Sequence, residues 1–383
     1  MQSQLLNRSL GETTVEQFEQ LATESLYYDI SPLEYPRFPL KKKVSPINCL
    51  DFDKTESRFL LSGGSDATIK VWKVGTRRAT TVGSITKATG GHSFGITGVQ
   101  WWPFDQGMFL SSSYDTTVRV WDSNTLEEAF MFELGSKVNC FDISPTGEHS
   151  LIATGAESTH IRVLDLRTTS AAHTLSGHNG TILSCKWSPV NPYMLATGSS
   201  EGEVRLWDIR KTASCFAQLD LYRTDKSKAV SENKSKKVGV MKSSVKAHAG
   251  GVNGLCWLEN GETLISTATD EKIRVWDLDA PGGVNTLLNF GPFVKNKTPS
   301  AKSLVLSPVG ETEVQYLWFP ADSGEMLMFR LGDGKLIARL RRNLQDTARS
   351  TCVVYGGNNC ATYFSGTSDG RIFVWGPKIE DET

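Results

Sequence analysis

The sequence has no run of eighteen apolar residues, so no transmembrane helix and no membrane partner are expected. Its opening stretch, MQSQLLNRSLGETT, lacks the apolar core of a signal peptide, and the chain is expected to be soluble and intracellular. No C-x-x-C pair occurs and the seven cysteines are odd in number, which removes a disulfide framework and a thiolate zinc site from consideration. There is no P-loop, no H-E-x-x-H helix, no strand–turn–helix nucleophile elbow and no metal-ligand cluster, so neither enzyme chemistry nor a cofactor is expected. Neither charge sign prevails: 41 basic residues face 42 acidic ones. That balance argues against coating nucleic acid or acidic membrane as the main task, while leaving local basic patches open. Four N-x-S/T triplets, at Asn7, Asn179, Asn233 and Asn296, read as chance matches in a chain without a secretion signal.

What the chain does contain is a repeat. Leu195–Lys211, LATGSSEGEVRLWDIRK, recurs as LLSGGSDATIKVWKV ending near Trp72, FLSSSYDTTVRVWDS near Trp121, LISTATDEKIRVWDL near Trp276 and YFSGTSDGRIFVWGP near Trp375. Each copy reads as a short strand, a tight polar turn and an alternating strand that closes on Trp. Weaker copies place Leu164 and Phe329 at the Trp position. The seven anchors 72, 121, 164, 207, 276, 329 and 375 are spaced by 49, 43, 43, 69, 53 and 46 residues. A period near 40–45 with G-H and W-D elements resembles the WD repeat, in which each copy is one four-stranded blade. The expected fold is all-β, a seven-bladed WD-repeat β-propeller over 25–379 preceded by an N-terminal helical segment at 1–24.

The recurring polar residues fit that fold. Acidic residues stand six places before the anchor at Asp66, Asp115, Glu201, Asp270 and Asp369, with hydroxyls four earlier at Ser62, Ser111, Thr197, Ser266 and Ser365. His92, His178 and His248 precede three blades. Such groups are expected to form structural tetrads ending on Trp121, Trp207 and Trp276, which satisfy polar atoms buried between strands. Ser111, His92 and Asp115 could spell a catalytic trio, but recurrence of the same trio from blade to blade marks a structural element. Cys49, Cys140, Cys185, Cys256 and Cys352 fall in first strands and read as small buried hydrophobes.

The repeat breaks in three places. After Trp375 too little chain remains for a fourth strand, so Ser25–Ile30 is expected to close the ring, with Leu26, Tyr28 and Ile30 alternating. Before it, Val15, Phe18, Leu21, Ala22 and Leu26 recur at helical spacing; Thr13 or Thr14 can cap this helix, with Glu16 or Gln17 three residues on. The segment reads as a partner-binding helix, as a helix packed against the propeller's side, or as a disordered tail. The 69-residue interval carries an insert at about 220–246 with Lys226, Lys228, Lys234, Lys236, Lys237, Lys242 and Lys246. It is expected to be a solvated loop, with an acidic partner or nucleic-acid phosphate as the alternative.

More specific stretches lie outside the generic repeat. They are GVQWWPFDQGMFLSSSYDTTVRVWDSNTL (Gly98–Leu126), INCLDF followed by LLSGGSD, SCKWSPVNPYMLATGSS running to RLWDIRK, KAHAGGVNGLCW, NTLLNFG (Asn285–Gly291) and the opening MQSQLLNRSLG. In these the chain resembles the Cockayne syndrome A protein family, in its fungal-type form. The resemblance implies a nuclear substrate receptor of a cullin-4-type ubiquitin ligase, acting in transcription-coupled nucleotide excision repair. Implied partners are the ligase's DNA-damage-binding adaptor, a Cockayne syndrome B-type remodelling ATPase and stalled RNA polymerase II. It assigns adaptor docking to an N-terminal helical segment and one rim of blades, on that rim to Trp207, Asp208 and Arg210, the W-D-x-R that ends blade four, with a partial copy in Asp165 and Arg167 of blade three. The ATPase or polymerase is expected on the opposite face, where Phe94 and Phe104 are candidate contacts. The alternatives are a generic nuclear scaffold in chromatin or ribosome assembly, and direct nucleic-acid binding through the lysine-rich insert.

Overall fold

In the computed structural model, which describes residues 14–39, 45–211, 215–224, 245–280, 282–341, 348–357 and 361–377, the repeat forms seven four-stranded antiparallel sheets. Blades one to six cover 47–85, 96–133, 138–176, 182–218, 252–285 and 305–340, and blade seven covers 350–377 plus an N-terminal strand. Strands run a to d outward from a central channel, and the chain is a seven-bladed β-propeller.

The anchors share one register. In each blade the third-strand anchor pairs with an apolar residue of the second strand: Leu60 with Trp72, Phe109 with Trp121, Ile152 with Leu164, Leu195 with Trp207, Leu264 with Trp276, Leu317 with Phe329 and Tyr363 with Trp375. All seven anchors are buried, including the Leu and Phe substitutes. The core is divided into seven apolar clusters, and each joins neighbouring blades: Trp207 packs with Ile161, Val163 and Leu175 of blade three, and Trp276 with Val204 and Leu206 of blade four. A buried Trp removes about 150–250 Å² from water, so the anchors hold blades together as well as shaping them.

Polar side chains on the innermost strands add a second set of links. Asn48 Nδ2 donates to Ile96 O (2.7 Å), Asn139 Nδ2 to Ile182 O (2.9 Å), Ser184 Oγ to Val252 O (3.0 Å) and Thr351 Oγ1 to Ile47 O (2.6 Å). Each reaches the next blade's first strand. Nearer the opposite mouth, Asp51 accepts from Trp101 N (2.7 Å) and Asp142 from Trp187 N (2.8 Å). The expected role of the first-strand cysteines agrees with their surroundings at Cys140, Cys185 and Cys352, which are buried; Cys49 and Cys256 are half-buried.

Strand alternation places all b–c turns and d–a connections at one face, called upper here, and all a–b and c–d turns at the lower face. Ring closure differs from the sequence expectation. The strand that pairs with Ile372–Pro377 is Ile30–Leu33, in the register Ile30 to Pro377. Ser25–Tyr28 instead form the last turn of a helix, Val15–Tyr28, so a boundary between 24 and 25 cuts through one continuous element. The reason is packing: Tyr27 is the buried residue, while Leu26 and Tyr28 of the anticipated alternation are exposed. Thr14 caps the helix with a full capping box to Gln17. Leu21 is half-buried; the side chains of Val15, Phe18 and Ala22 lie outside the described residues.

Candidate functional site

Three hydrogen-bonded chains run inward from the upper face. In blade two, Trp121 Nε1 donates to Ser111 Oγ (2.8 Å), Ser111 lies 2.7 Å from His92 Nε2, and His92 Nδ1 lies 2.7 Å from Asp115. In blade five Trp276, Ser266, His248 and Asp270 repeat the arrangement. In blade two, Nδ1–H donating to the carboxylate and Nε2 accepting the serine proton give each member of the chain a partner; in blade five Arg274 also lies against His248 Nδ1 and Asp270. Ser111 and His92 are fully buried, and Ser111 also accepts from the indole, which leaves no approach for a substrate carbonyl. Burial works to raise the Asp115 carboxyl, but hydrogen bonds from His92 and Thr117 outweigh it and hold it well below the usual range.

Blade four departs from its expected tetrad. Trp207 Nε1 donates to Thr197 Oγ1 (2.7 Å) and Thr197 meets His178 Nε2 (2.7 Å), but the carboxylate against His178 Nδ1 is Glu203 (3.0 Å), not Glu201. Glu203 stands just before the third strand, four places ahead of its tryptophan as Thr117 is in blade two, and its longer side chain spans the gap to the histidine. There it also accepts from Asn179 Nδ2 (2.9 Å) and Arg205 (3.4 Å) and is only 2% exposed. Burial tends to raise its carboxyl; the bonds from His178 and Arg205 prevail and lower it to about 2. Glu201 stands in the exposed turn, paired with Lys246 at 3.4 Å. Sequence spacing alone cannot separate the two glutamates; only the reach of the side chain does. In the other blades Asp66 and Asp369 stand in their b–c turns, while Ser62 and Ser365 accept from Trp72 and Trp375 (2.8 and 2.7 Å).

The residues expected to dock the adaptor divide by depth. Trp207 is fully buried and available to no partner. Arg210, at the c–d turn of blade four, is 58% exposed on the lower face. Its Nε and Nη2 donate to Asp208 (3.0 and 2.9 Å) and its guanidinium lies 4.7 Å from the Tyr193 ring centre. Two of five N–H groups are thus engaged within the chain, and the others face solvent on a plane already fixed. Blade three builds the same turn: Asp165 accepts Arg167 N at 2.9 Å, as Asp208 accepts Arg210 N at 3.1 Å. Arg167 is exposed and its guanidinium has no ion-pair partner among the described residues.

The N-terminal helix lies on this same lower face, against blades six and seven. Tyr27 stacks on Tyr316 with ring centres 5.0 Å apart, and its hydroxyl donates to Glu311 at 2.5 Å beside Tyr363 at 2.9 Å. Tyr355 donates to the other Glu311 oxygen, and Tyr316 to Glu24 at 2.9 Å. Sequence reasoning missed Tyr27 and Glu311; neither belongs to the repeat, and no periodicity marks a tyrosine cluster assembled from a helix and three strands. Of the two aromatic candidates, Phe94 is exposed on the upper face, whereas Phe104 lies in an a–b connection and shares the lower face with Arg210. Its expected place opposite Arg210 is therefore corrected.

The insert at 220–246 leaves the propeller through a closed neck, Leu221 N donating to Lys246 O (3.0 Å) and Gln218 Nε2 to Val245 O (2.6 Å). Lys226, Lys228, Lys234, Lys236, Lys237 and Lys242 lie outside the described residues. Among the described residues no group of His, Cys, Asp or Glu could hold a metal ion, and no helix is long and apolar enough to cross a membrane. Two G-x-S-x-G spellings, Gly198–Gly202 and Gly366–Gly370, are strand–turn–strand hairpins rather than nucleophile elbows.

Comparison with known proteins agrees with the geometry. The model "WD domain, G-beta repeat" matches residues 38–73, 83–122, 170–208 and 239–277. The chain is 31% identical to the Arabidopsis thaliana WD repeat-containing protein ATCSA-1, across 89% of each chain. It is 32% identical to Radiation-sensitive protein 28 of Saccharomyces cerevisiae, over 65% of this chain and 51% of that one. Similarity to an Oryza sativa subsp. japonica ribosome biogenesis protein WDR12 homolog is 32% over 48% of this chain and 47% of the relative. Repeat, register, tetrads and relatives converge: this chain belongs to the WD-repeat family of β-propeller scaffolds.

Proposed function

We propose that this chain is a nuclear substrate receptor of a cullin-4-type ubiquitin ligase in transcription-coupled nucleotide excision repair. The observation that carries the reading is the shared lower face. The exposed Arg210 fork and the N-terminal helix, two elements that the resemblance to the Cockayne syndrome A family assigns to the DNA-damage-binding adaptor, sit on one side of the ring. Arg210 is held by Asp208 and Tyr193, so little rotamer entropy remains to be lost on docking. Arg167 and Phe104 extend the same surface. Similarity to ATCSA-1 across 89% of each chain supports the same reading. On it the propeller performs no covalent chemistry. It raises the effective concentration of substrate near the ligase, with the Cockayne syndrome B-type ATPase and RNA polymerase II received by the upper face.

The test is affinity purification of wild type beside Arg210→Ala and a chain lacking residues 1–24. That deletion retains Tyr27 and the ring-closing strand Ile30–Leu33, so the propeller is expected to fold. Wild type should bring down the adaptor and each variant should lose most of it. Recovery of ribosomal or histone partners without adaptor would instead favour a generic scaffold, the reading suggested by the WDR12 similarity over 48% of the chain.

A further inference from the structure

The upper mouth of the channel is a pocket of about 290 Å³, bordered by Asn48, Tyr114, Thr298, Lys302, Asp322 and Arg349 among others. It opens into a larger central cavity of about 700 Å³, with Asn48, Thr97, Ala301 and Lys302 lining both. The charged residues of the mouth are two cations and one carboxylate. The carboxylate is fully committed: Asp322 Oδ1 accepts from Lys302 Nζ (2.7 Å), and Oδ2 accepts from Lys297 N (2.8 Å), Thr298 N (3.0 Å) and Thr298 Oγ1 (2.9 Å). The neutral amides are also largely spent, since Asn48 and Asn139 tie adjacent blades together.

The cations are not spent. Lys302 has a side chain only 3% exposed; its ammonium donates to Asp322 and to Ser350 O (3.4 Å), which leaves one N–H of three. Arg349, exposed at the rim, commits one N–H to Thr298 Oγ1 (2.9 Å) and has no carboxylate partner among the described residues. The charged donors left in the mouth are these two cations, around a net charge of +1 and beside the neutral hydroxyls of Tyr114, Ser300 and Ser368.

We propose that the upper mouth is an anion subsite that takes the acidic side chain of a peptide, a carboxylate or a phosphorylated hydroxyl, with Arg349 and Lys302 as its donors. A pocket of this volume holds one such side chain with the peptide backbone lying across the rim. A nucleic-acid strand is disfavoured, because it requires a groove of cations and stacking aromatics tracking the backbone. The mouth offers two cations at one point and the single aromatic Tyr114. Burial pushes the Lys302 ammonium down against the opposing pull of Asp322, and an arriving anion relieves that cost. The proposal does not rest on adaptor docking, which uses the opposite face.

The experiment measures fluorescence polarisation of the full chain with labelled Gly-Ala-Gly-X-Gly-Ala-Gly peptides, X being Glu, phosphoserine, Ser or Lys. The expected result is that the phosphoserine or the Glu peptide binds at least about tenfold more tightly than the Ser and Lys peptides, and the two anionic arms identify the favoured source. Arg349→Ala, an exposed substitution, should weaken the preferred peptide by about tenfold or more, and Arg349→Lys should restore part of it. Arg210→Ala should leave peptide binding unchanged, which separates failure here from failure of the ligase reading. The proposal is overturned if neither anionic peptide binds below about 1 mM. It is equally overturned if Arg349→Ala binds like wild type, or if an oligothymidylate displaces the bound peptide and itself loses affinity in Arg349→Ala.

Discussion

Replacing Glu203 by alanine should unfold blade four far more readily than the same change at Glu201, four and six places before one tryptophan. Glu203 is buried and gathers His178, Asn179 and Arg205 around its carboxylate. Removing it leaves the Arg205 guanidinium, itself only 8% exposed, and the His178 ring without their anion. Taking one partner from a buried charge pair costs about 3–5 kcal/mol. Glu201 faces solvent and its one partner, Lys246, is half exposed, so Glu201→Ala should cost less than about 1 kcal/mol. Glu203→Gln keeps the volume and one acceptor, and belongs between them at about 1–3 kcal/mol. Guanidinium unfolding followed by tryptophan fluorescence gives all three values from the midpoint and slope. Equal losses at the two sites, or less than about 1 kcal/mol at Glu203, would refute the assignment of the buried acid to Glu203.

Further expectations follow from the same geometry. Glu203 is held at about 2 against 4.5 for an ordinary glutamate, so its stabilisation is complete above 4.5 and is lost as pH falls toward 2. His178, depressed below 6.5 chiefly by burial, acts in the same direction because the unfolded chain takes up its proton first. The gap in thermal midpoint between wild type and Glu203→Gln should therefore narrow between pH 4.5 and 2, and a widening gap would show the sign to be wrong. Tyr27→Phe removes a hydroxyl shared with Glu311 and Tyr363 and should cost about 1–3 kcal/mol. Hydrogen exchange should accelerate in Ile30–Leu33 and Ile372–Pro377 before it does in blade three; uniform acceleration would count against a local latch. Gly202 has φ +82° and a Cβ there would lie 2.2 Å from His248 O, whereas Gly135, with φ +69°, has open space. Gly202→Ala should thus lose clearly more than the about 1–2 kcal/mol of left-handed strain expected for Gly135→Ala, measured in the same denaturation assay.

The parts of this molecule that were legible in the sequence are those that repeat. Leu164 and Phe329 could be placed at tryptophan positions because register, not chemistry, defines the anchor, and both are buried at the expected pairing. A fixed offset from Trp207 selects Glu201 because it ignores how far a glutamate reaches from position 203. The alternation of Leu26, Tyr28 and Ile30 places the ring-closing strand several residues early because the same residues suit a helix end, and Tyr27 decides between the two only once Glu311 and Tyr316 are in place. The face that Phe104 occupies follows from strand directions, which its sequence neighbours do not carry. The upper mouth had no sequence signature at all: Asn48, Tyr114, Lys302, Asp322 and Arg349 come from blades one, two, six and seven and meet only when the ring closes.

The central claim, that the lower face docks a ligase adaptor, is tested most directly by titrating purified DNA-damage-binding adaptor onto the folded chain. Wild type should bind, and Arg210→Ala should weaken binding by about tenfold or more, since an exposed, fixed guanidinium is the kind of residue that dominates an interface. Arg349→Ala on the opposite face should bind as wild type does. Absence of binding by wild type, or equal affinity in Arg210→Ala with its unfolding midpoint unchanged, would contradict the account.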